Sequence, residues 1–208
     1  MLSRRTRRGP DGQRQGRGQS VTYGVEAEKR ESARLHNPSL LGMVDLARFL
    51  VEHSADATAQ DKDGSTPLHR VSASGIVEAA RFLVEYGADT TAKNKYGSTP
   101  LHRAAACGNV DLLRFLVEHE AEATAKDNDG STPLHKLWVS EDVDLARLLV
   151  EHGADATAQN KYGSFPLHRA SAWGSLDLLC FLMEHGADST AKDNDGSTPL
   201  HKASAFGR

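Results

Sequence analysis

Histidine is the residue type with the most chemistry to offer in this chain. Among its 208 residues are ten histidines and two cysteines, enough donors for several zinc sites or for acid–base work near neutral pH. Five of the histidines, His69, His102, His135, His168 and His201, close the same short phrase. It reads Ser-Thr-Pro-Leu-His four times and Ser-Phe-Pro-Leu-His once, ending at 168. Four others, His53, His119, His152 and His185, end apolar stretches in a second series. Zinc holds its ligands about 2 Å from one centre, so histidines carried on successive packed elements, roughly 10 Å apart, do not share an ion. Cys107 and Cys180 form no CxxC or other paired spacing, which suits a reduced, intracellular protein better than a disulfide framework. Cys180 stands in an exposed slot that Arg48, Arg81, Arg114 and Arg147 fill elsewhere. It reads as drift at a solvent position or as a reactive surface thiol. No P-loop, GxGxxG, GxSxG or HExxH motif is present. The expectation is a chain that is not an enzyme and takes no cofactor and no metal.

The elements that position these histidines recur strictly. The glycines ahead of the phrase are Gly64, Gly97, Gly130, Gly163 and Gly196, evenly spaced along the chain. A fixed period of this kind, about 33 residues, marks stacked repeats. In the copy at 94–126, Asn94-Lys-Tyr-Gly97 is a turn. Thr99 is placed to cap a short first helix with Pro100 at its first position, and Gly108 ends it. A second helix from Val110 to His119 is apolar except for Asp111, Arg114 and Glu118, which share one narrow solvent stripe. Helices of about ten residues are marginal alone, so stacking must supply their stability.

These residues resemble the ankyrin repeat, whose pattern runs Asp-x-x-Gly-x-Thr-Pro-Leu-His-x-Ala-Ala and continues with an apolar second helix and Gly-Ala-Asp. The resemblance covers about 28–208. It implies an all-α solenoid of stacked helix–turn–helix units joined by β-hairpin fingers. It also implies that the Pro-Leu-His histidines hold the loops by hydrogen bonds, and that a protein partner is bound on the fingertips and the concave surface of the first helices. The repeats divide as 28–60 (degenerate, lacking the Gly and the Thr-Pro), 61–93, 94–126, 127–159, 160–192 and a partial 193–208. Asn-Lys-Tyr-Gly opens the repeats at 94 and 160, and Asp-Asn-Asp-Gly those at 127 and 193, so a pair of repeats is the larger unit.

Several positions depart from the pattern. Phe165 replaces the capping Thr. Ser54 and Glu120 stand where Gly should end the second helix. Trp138 takes a small-residue position and Glu141 replaces the inter-helix Gly, so a local distortion and the weakest stacking are expected there. Thr58, Thr91, Thr124, Thr157 and Thr190 occupy the outgoing loop where the family often carries Asn, which argues against the asparagine hydroxylation that some ankyrin domains undergo. A stop inside the last repeat would leave Leu178, Leu179 and Leu182 half covered and favour self-association; otherwise a monomer is expected.

The net charge of −3 hides a split. Residues 1–27 are a Gly- and Arg-rich segment with little to bury, expected to be disordered. Six arginines against Asp11 alone give residues 1–20 a charge of +5, leaving −8 for the remainder. Arg4-Arg-Thr-Arg-Arg8 reads as a nuclear-import address, as a nucleic-acid arm or as a plain solvated tail. There is no run of about 18 apolar residues for a membrane span and no signal-peptide core. The localisation expected is cytoplasm or nucleus. Stacking dictates most repeat positions, so partner information must sit where exposed positions differ. Those are Lys62, Asp63, Lys95, Tyr96, Asn128, Asp129, Lys161 and Tyr162 at the fingertips, and Cys107, Trp173 and Phe206 at the ends of first helices. The expected function is a non-enzymatic scaffold or adaptor. The alternatives are a nuclear chromatin- or nucleic-acid-associated factor acting through the tail, and a fragment of a larger multidomain ankyrin protein.

Overall fold

A computed structural model describes residues 44–137 and 143–205. The expectations stated above for the 1–27 tail, the start of the first repeat, Trp138 and Glu141, and Phe206 lie outside those residues. The helices follow the repeat period. The first member of each pair is α2 (Pro67–Ser74), α4 (Pro100–Cys107), α7 (Pro166–Trp173) or α9 (Pro199–Ala205). The second members are α1 (Val44–Glu52), α3 (Val77–Glu85), α5 (Val110–Glu118), α6 (Val143–Glu151) and α8 (Leu176–Glu184). First helices pack on first helices and second on second, which makes two layers with the core between them. Leu68, Leu101, Leu112, Leu113 and Leu116 are wholly buried there, each stabilising the fold by about 2 kcal/mol relative to exposure. Among the described residues the fingers between helix pairs are turns and carry no strand, so the hairpin part of the expectation finds no support there.

Each repeat is fastened to the next through the Thr-Pro-Leu-His phrase. In α4, Thr99 is extended (φ −95, ψ 167) and Pro100 follows at the first helical position. His102 Nδ1 accepts from the Thr99 N–H at 3.2 Å and from its hydroxyl at 2.8 Å. With Nδ1 an acceptor, Nε2 carries the proton and donates it to the Ser131 carbonyl of the next repeat at 3.0 Å. The same reach runs from His69 to Ser98 (2.8 Å), from His135 to Ser164 (3.1 Å) and from His168 to Ser197 (3.0 Å). At Phe165 no hydroxyl is available, and the ring stacks on His168 instead, centroids 5.6 Å apart. The second histidine series is different: His53, His119, His152 and His185 donate Nδ1–H to the carbonyl four residues back, at 2.7–2.8 Å, and so satisfy the last turn of each second helix.

The repeat at 127–159 differs from the others at the start of its first helix. Where α2, α4 and α7 each run eight residues, only a 3₁₀ turn forms over Pro133–Lys136, and Leu137 is extended (φ −63, ψ 122). The equivalent positions elsewhere are Val71-Ser72, Ala104-Ala105 and Ala170-Ser171, all buried. Leu137 is buried in the core at this position, in an extended rather than a helical conformation. The apolar end differs from expectation. Leu178 and Leu182 are buried, and Leu179 is partly buried, because α8 packs on both α7 and α6; Leu176, Met183 and Leu200 are the exposed residues instead. The outgoing-loop threonines have a local role: Thr58, Thr91, Thr157 and Thr190 each donate N–H and hydroxyl to the Asp two residues earlier.

Ser54 (φ 71) and Glu120 (φ 67) are held in the left-handed conformation that Gly87, Gly153 and Gly186 adopt in other repeats. Glu120→Gly is therefore expected to raise stability by about 1 kcal/mol, and Gly153→Ala to lower it by as much, read from urea unfolding. The staple carries a pH signature. Burial pushes His69 below its usual value, and His102 and His135 to about 4. Between the ordinary histidine value near 6.5 and the folded value near 4, the unfolded chain binds protons that the folded chain refuses. Stability is fully present above that window, falls as pH drops through it, and stops falling on their account below it. His102 and His135 are each expected to contribute on the order of 3 kcal/mol to the loss. Urea midpoints that agree at pH 7.5 and 4.5 would contradict this. His102→Leu, which strands the Ser131 carbonyl, should cost about 3 kcal/mol, whereas His201→Leu, at an exposed copy, should cost less than about 1 kcal/mol.

Candidate protein-binding surface

Each finger is built around one Asx residue. The Oδ1 atoms of Asp61, Asn94, Asp127, Asn160 and Asp193 accept backbone N–H groups two and four residues on, at 2.8–3.1 Å. The other terminal atom decides what the finger does next. Where it is oxygen it takes a cation from its own first helix or turn: Asp61 with Arg70 (2.7 Å), Asp127 with Lys136 (2.6 Å), Asp193 with Lys202 (2.7 Å). Where it is Nδ2 it donates backward to the preceding finger, from Asn94 to Ser65 Oγ (3.3 Å) and from Asn160 to Ser131 Oγ (3.1 Å). For Asp61 and Asp127 burial works against charge, yet the cations and the N–H groups hold both carboxyls below the usual range; Lys202 does the same for Asp193.

The fingertips are zipped to one another. Lys95 N–H donates to Asp63 O, Asn128 to Tyr96 O, Lys161 to Asp129 O and Asn194 to Tyr162 O, all at 2.9–3.0 Å. The Asn128 side chain adds a bond to Lys95 O at 2.8 Å and Asn194 one to Lys161 O at 2.9 Å. Gly97 is required for this approach, because a Cβ there would lie 2.5 Å from Asn128 Oδ1. Lys95 pairs with Asp63 and Lys161 with Asp129, and these contacts raise both lysines above their usual value. The same ammonium groups sit over the Tyr96 and Tyr162 rings at 5.0 and 5.2 Å. Both rings nevertheless stay more than half exposed.

Between these fingertips and the first helices lie two clefts of about 330 and 350 Å³. Tyr96, Ser98, Arg103, Ala106, Asp129 and Lys136 are among the walls of one, and Tyr162, Ser164, Arg169, Ala172, Asp195 and Lys202 among those of the other. The second set is the first displaced by two repeats. Of the residues expected at the site, Tyr96, Asn128 and Asp129 line the first cleft, and Tyr162 and Trp173 the second. Lys95 and Lys161 pair at the fingertips, Lys62 is exposed outside both clefts, and Asp63 is half-buried beneath Lys95. Cys107 is exposed at the end of α4 but lines neither cleft, and partial burial pushes its thiol up. Arg103, Arg169, Lys136 and Lys202 also line the clefts, although none of them is among the residues expected there. Their signal was present in the sequence: a cation recurs at 70, 103, 136, 169 and 202, while the Asx residue facing it alternates. On the outer face the arginine stripe is not idle either. Arg48, Arg81 and Arg147 lie over Phe82, Phe115 and Phe181 of the following repeat at 5.2–5.4 Å, and Cys180 interrupts that row.

No helix among the described residues is long and apolar enough to cross a membrane. No curated protein matched the sequence. The family model for ankyrin repeats in three copies matches residues 35–127 and 122–193. Those matches span the helix pairs, the His staples and the fingers described above, and the chain belongs to the ankyrin repeat family.

Proposed function

We propose that this chain is a non-enzymatic scaffold that holds a protein partner on its fingertips and on the concave face of its first helices. Ankyrin repeats are generally protein–protein interaction modules and typically catalyse nothing. One observation carries the finer reading. Tyr96 and Tyr162 remain 57% and 55% exposed although the backbone N–H and carbonyl of each are bonded. Rigid aromatic rings held in water at the mouth of a cleft are what a protein interface uses as anchors, offering large area and few rotors to freeze. Trp173, half-buried beside Tyr162, extends the apolar wall.

The +5 segment at residues 1–20 supports a second reading, contact with nucleic acid through the tail alone. The remaining chain, at −8, offers no such footing. Deleting residues 1–20 separates the two readings, since a tail contact would be salt-sensitive and would vanish. For the first reading, the Tyr96→Ala/Tyr162→Ala pair should abolish capture of partners from an extract of the native cell. The melting temperature should hold within about 2 °C, as for surface substitutions. Capture that survives with the fold intact would overturn the site.

A further inference from the structure

The geometry points to two copies of one anion-reading subsite, two repeats apart, that together take an extended partner segment carrying two carboxylate side chains about six residues apart. This rests on the binding face proposed above and names what that face reads.

The argument starts from the cation that recurs on every first helix or turn. In the Asp-opened repeats it is neutralised from within: Arg70 by Asp61, Lys136 by Asp127, Lys202 by Asp193. In the two Asn-opened repeats the facing residue is Asn94 or Asn160, whose free side-chain atom is a donor already given to Ser65 or Ser131. Among the described residues Arg103 and Arg169 therefore make no ion pair. Both are exposed, and each lines one of the two clefts beside a tyrosine and an alanine. In the first cleft the acids are spoken for, Asp127 by Lys136 and Asp129 by Lys161, which leaves the Arg103 guanidinium as the uncompensated charge. In the second, Asp193 is held by Lys202 while Asp195 makes no ion pair among the described residues. Arg169 thus works against a weaker field there, and Trp173 supplies the larger apolar wall.

A guanidinium presents paired N–H donors that match a carboxylate. In the first cleft one surplus positive charge bordered by aspartates fits a singly charged group, and in the second Arg169 faces Asp195 across a cleft of no net charge; a phosphate, with nearly two negative charges, would meet the aspartates of either. Two repeats at roughly 10 Å each place the guanidinium groups roughly 20 Å apart. An extended chain rises about 3.3 Å per residue, so side chains about six residues apart reach both arginines. An even spacing also keeps the two on one face of the segment.

The test uses the full chain and labelled peptides read by fluorescence anisotropy at 50 and 300 mM NaCl. The probes are 14-residue Ser/Ala/Leu peptides with two glutamates six apart, two glutamates three apart, one glutamate, or two glutamines. The six-apart peptide should bind at least about tenfold more tightly than the single-glutamate peptide, as expected of two linked contacts, and lose that advantage at high salt. Arg103→Gln or Arg169→Gln should reduce it to the single-glutamate level. Asn94→Asp, which gives Arg103 the internal partner that Arg70 already has, should do the same without removing the arginine and in a sequence the other repeats show to fold. Equal affinity at spacings of three and six, no loss in the arginine variants, or no binding of any peptide overturns the proposal. Glutamine peptides that bind as well, and lose binding in the Tyr96→Ala/Tyr162→Ala pair, would keep the binding face while overturning the carboxylate reading.

Discussion

A neutral imidazole held between two repeats is the interaction on which this structure depends. Its Nδ1 accepts from the threonine that starts its own helix, and its Nε2–H reaches a carbonyl of the next finger. One side chain thus caps a helix and sets the distance to the neighbour. The repeat with the failed first helix shows which of these elements matters more. Only a 3₁₀ turn remains over Pro133–Lys136, yet His135 still bonds Thr132 on one side and Ser164 on the other. The staple needs the first turn alone, so stacking continues across a repeat in which only a 3₁₀ turn forms over Pro133–Lys136.

That dependence explains why His69, His102 and His135 have no chemistry to spare. Both nitrogens are committed, and burial holds His102 and His135 in the neutral form well below neutral pH. A base for catalysis or a ligand for a metal needs a free lone pair facing a cleft, and here Nδ1 faces a hydroxyl. The residues that looked most reactive by type are thus the most thoroughly used by the fold.

The scaffold was legible in the sequence because its determinants are local and recur. Thr99-Pro100, the terminal glycines and the apolar runs each act within one turn, and a strict period repeats them in register. Even the exceptions could be read, since Ser54 and Glu120 adopt the positive φ that their glycine counterparts take. What escaped was whatever depends on contact between repeats. Leu137 is an ordinary leucine until it is set beside its counterparts Val71, Ala104 and Ala170, which lie within eight-residue helices while Leu137 is extended. Arg48, Arg81 and Arg147 read as a solvent stripe, because the rings they cover belong to the following repeat. Leu178 and Leu182 were misjudged for the same reason, being covered by α7 and α6.

The candidate site follows the same division. Tyr96 and Tyr162 stood out by type, but the arginines beside them did not, since a cation at that position is common to all five repeats from Arg70 to Lys202. Only the atom opposite distinguishes them. Exchanging an aspartate Oδ2 for an asparagine Nδ2 leaves the turn intact, because Oδ1 accepts the same two N–H groups in both. It moves the second atom from the first-helix cation to the preceding finger, so the exchange releases one charge in every second repeat at little cost to the scaffold. The finger can therefore vary its charge without varying its shape, and charge at fixed shape is what specificity between related partners requires.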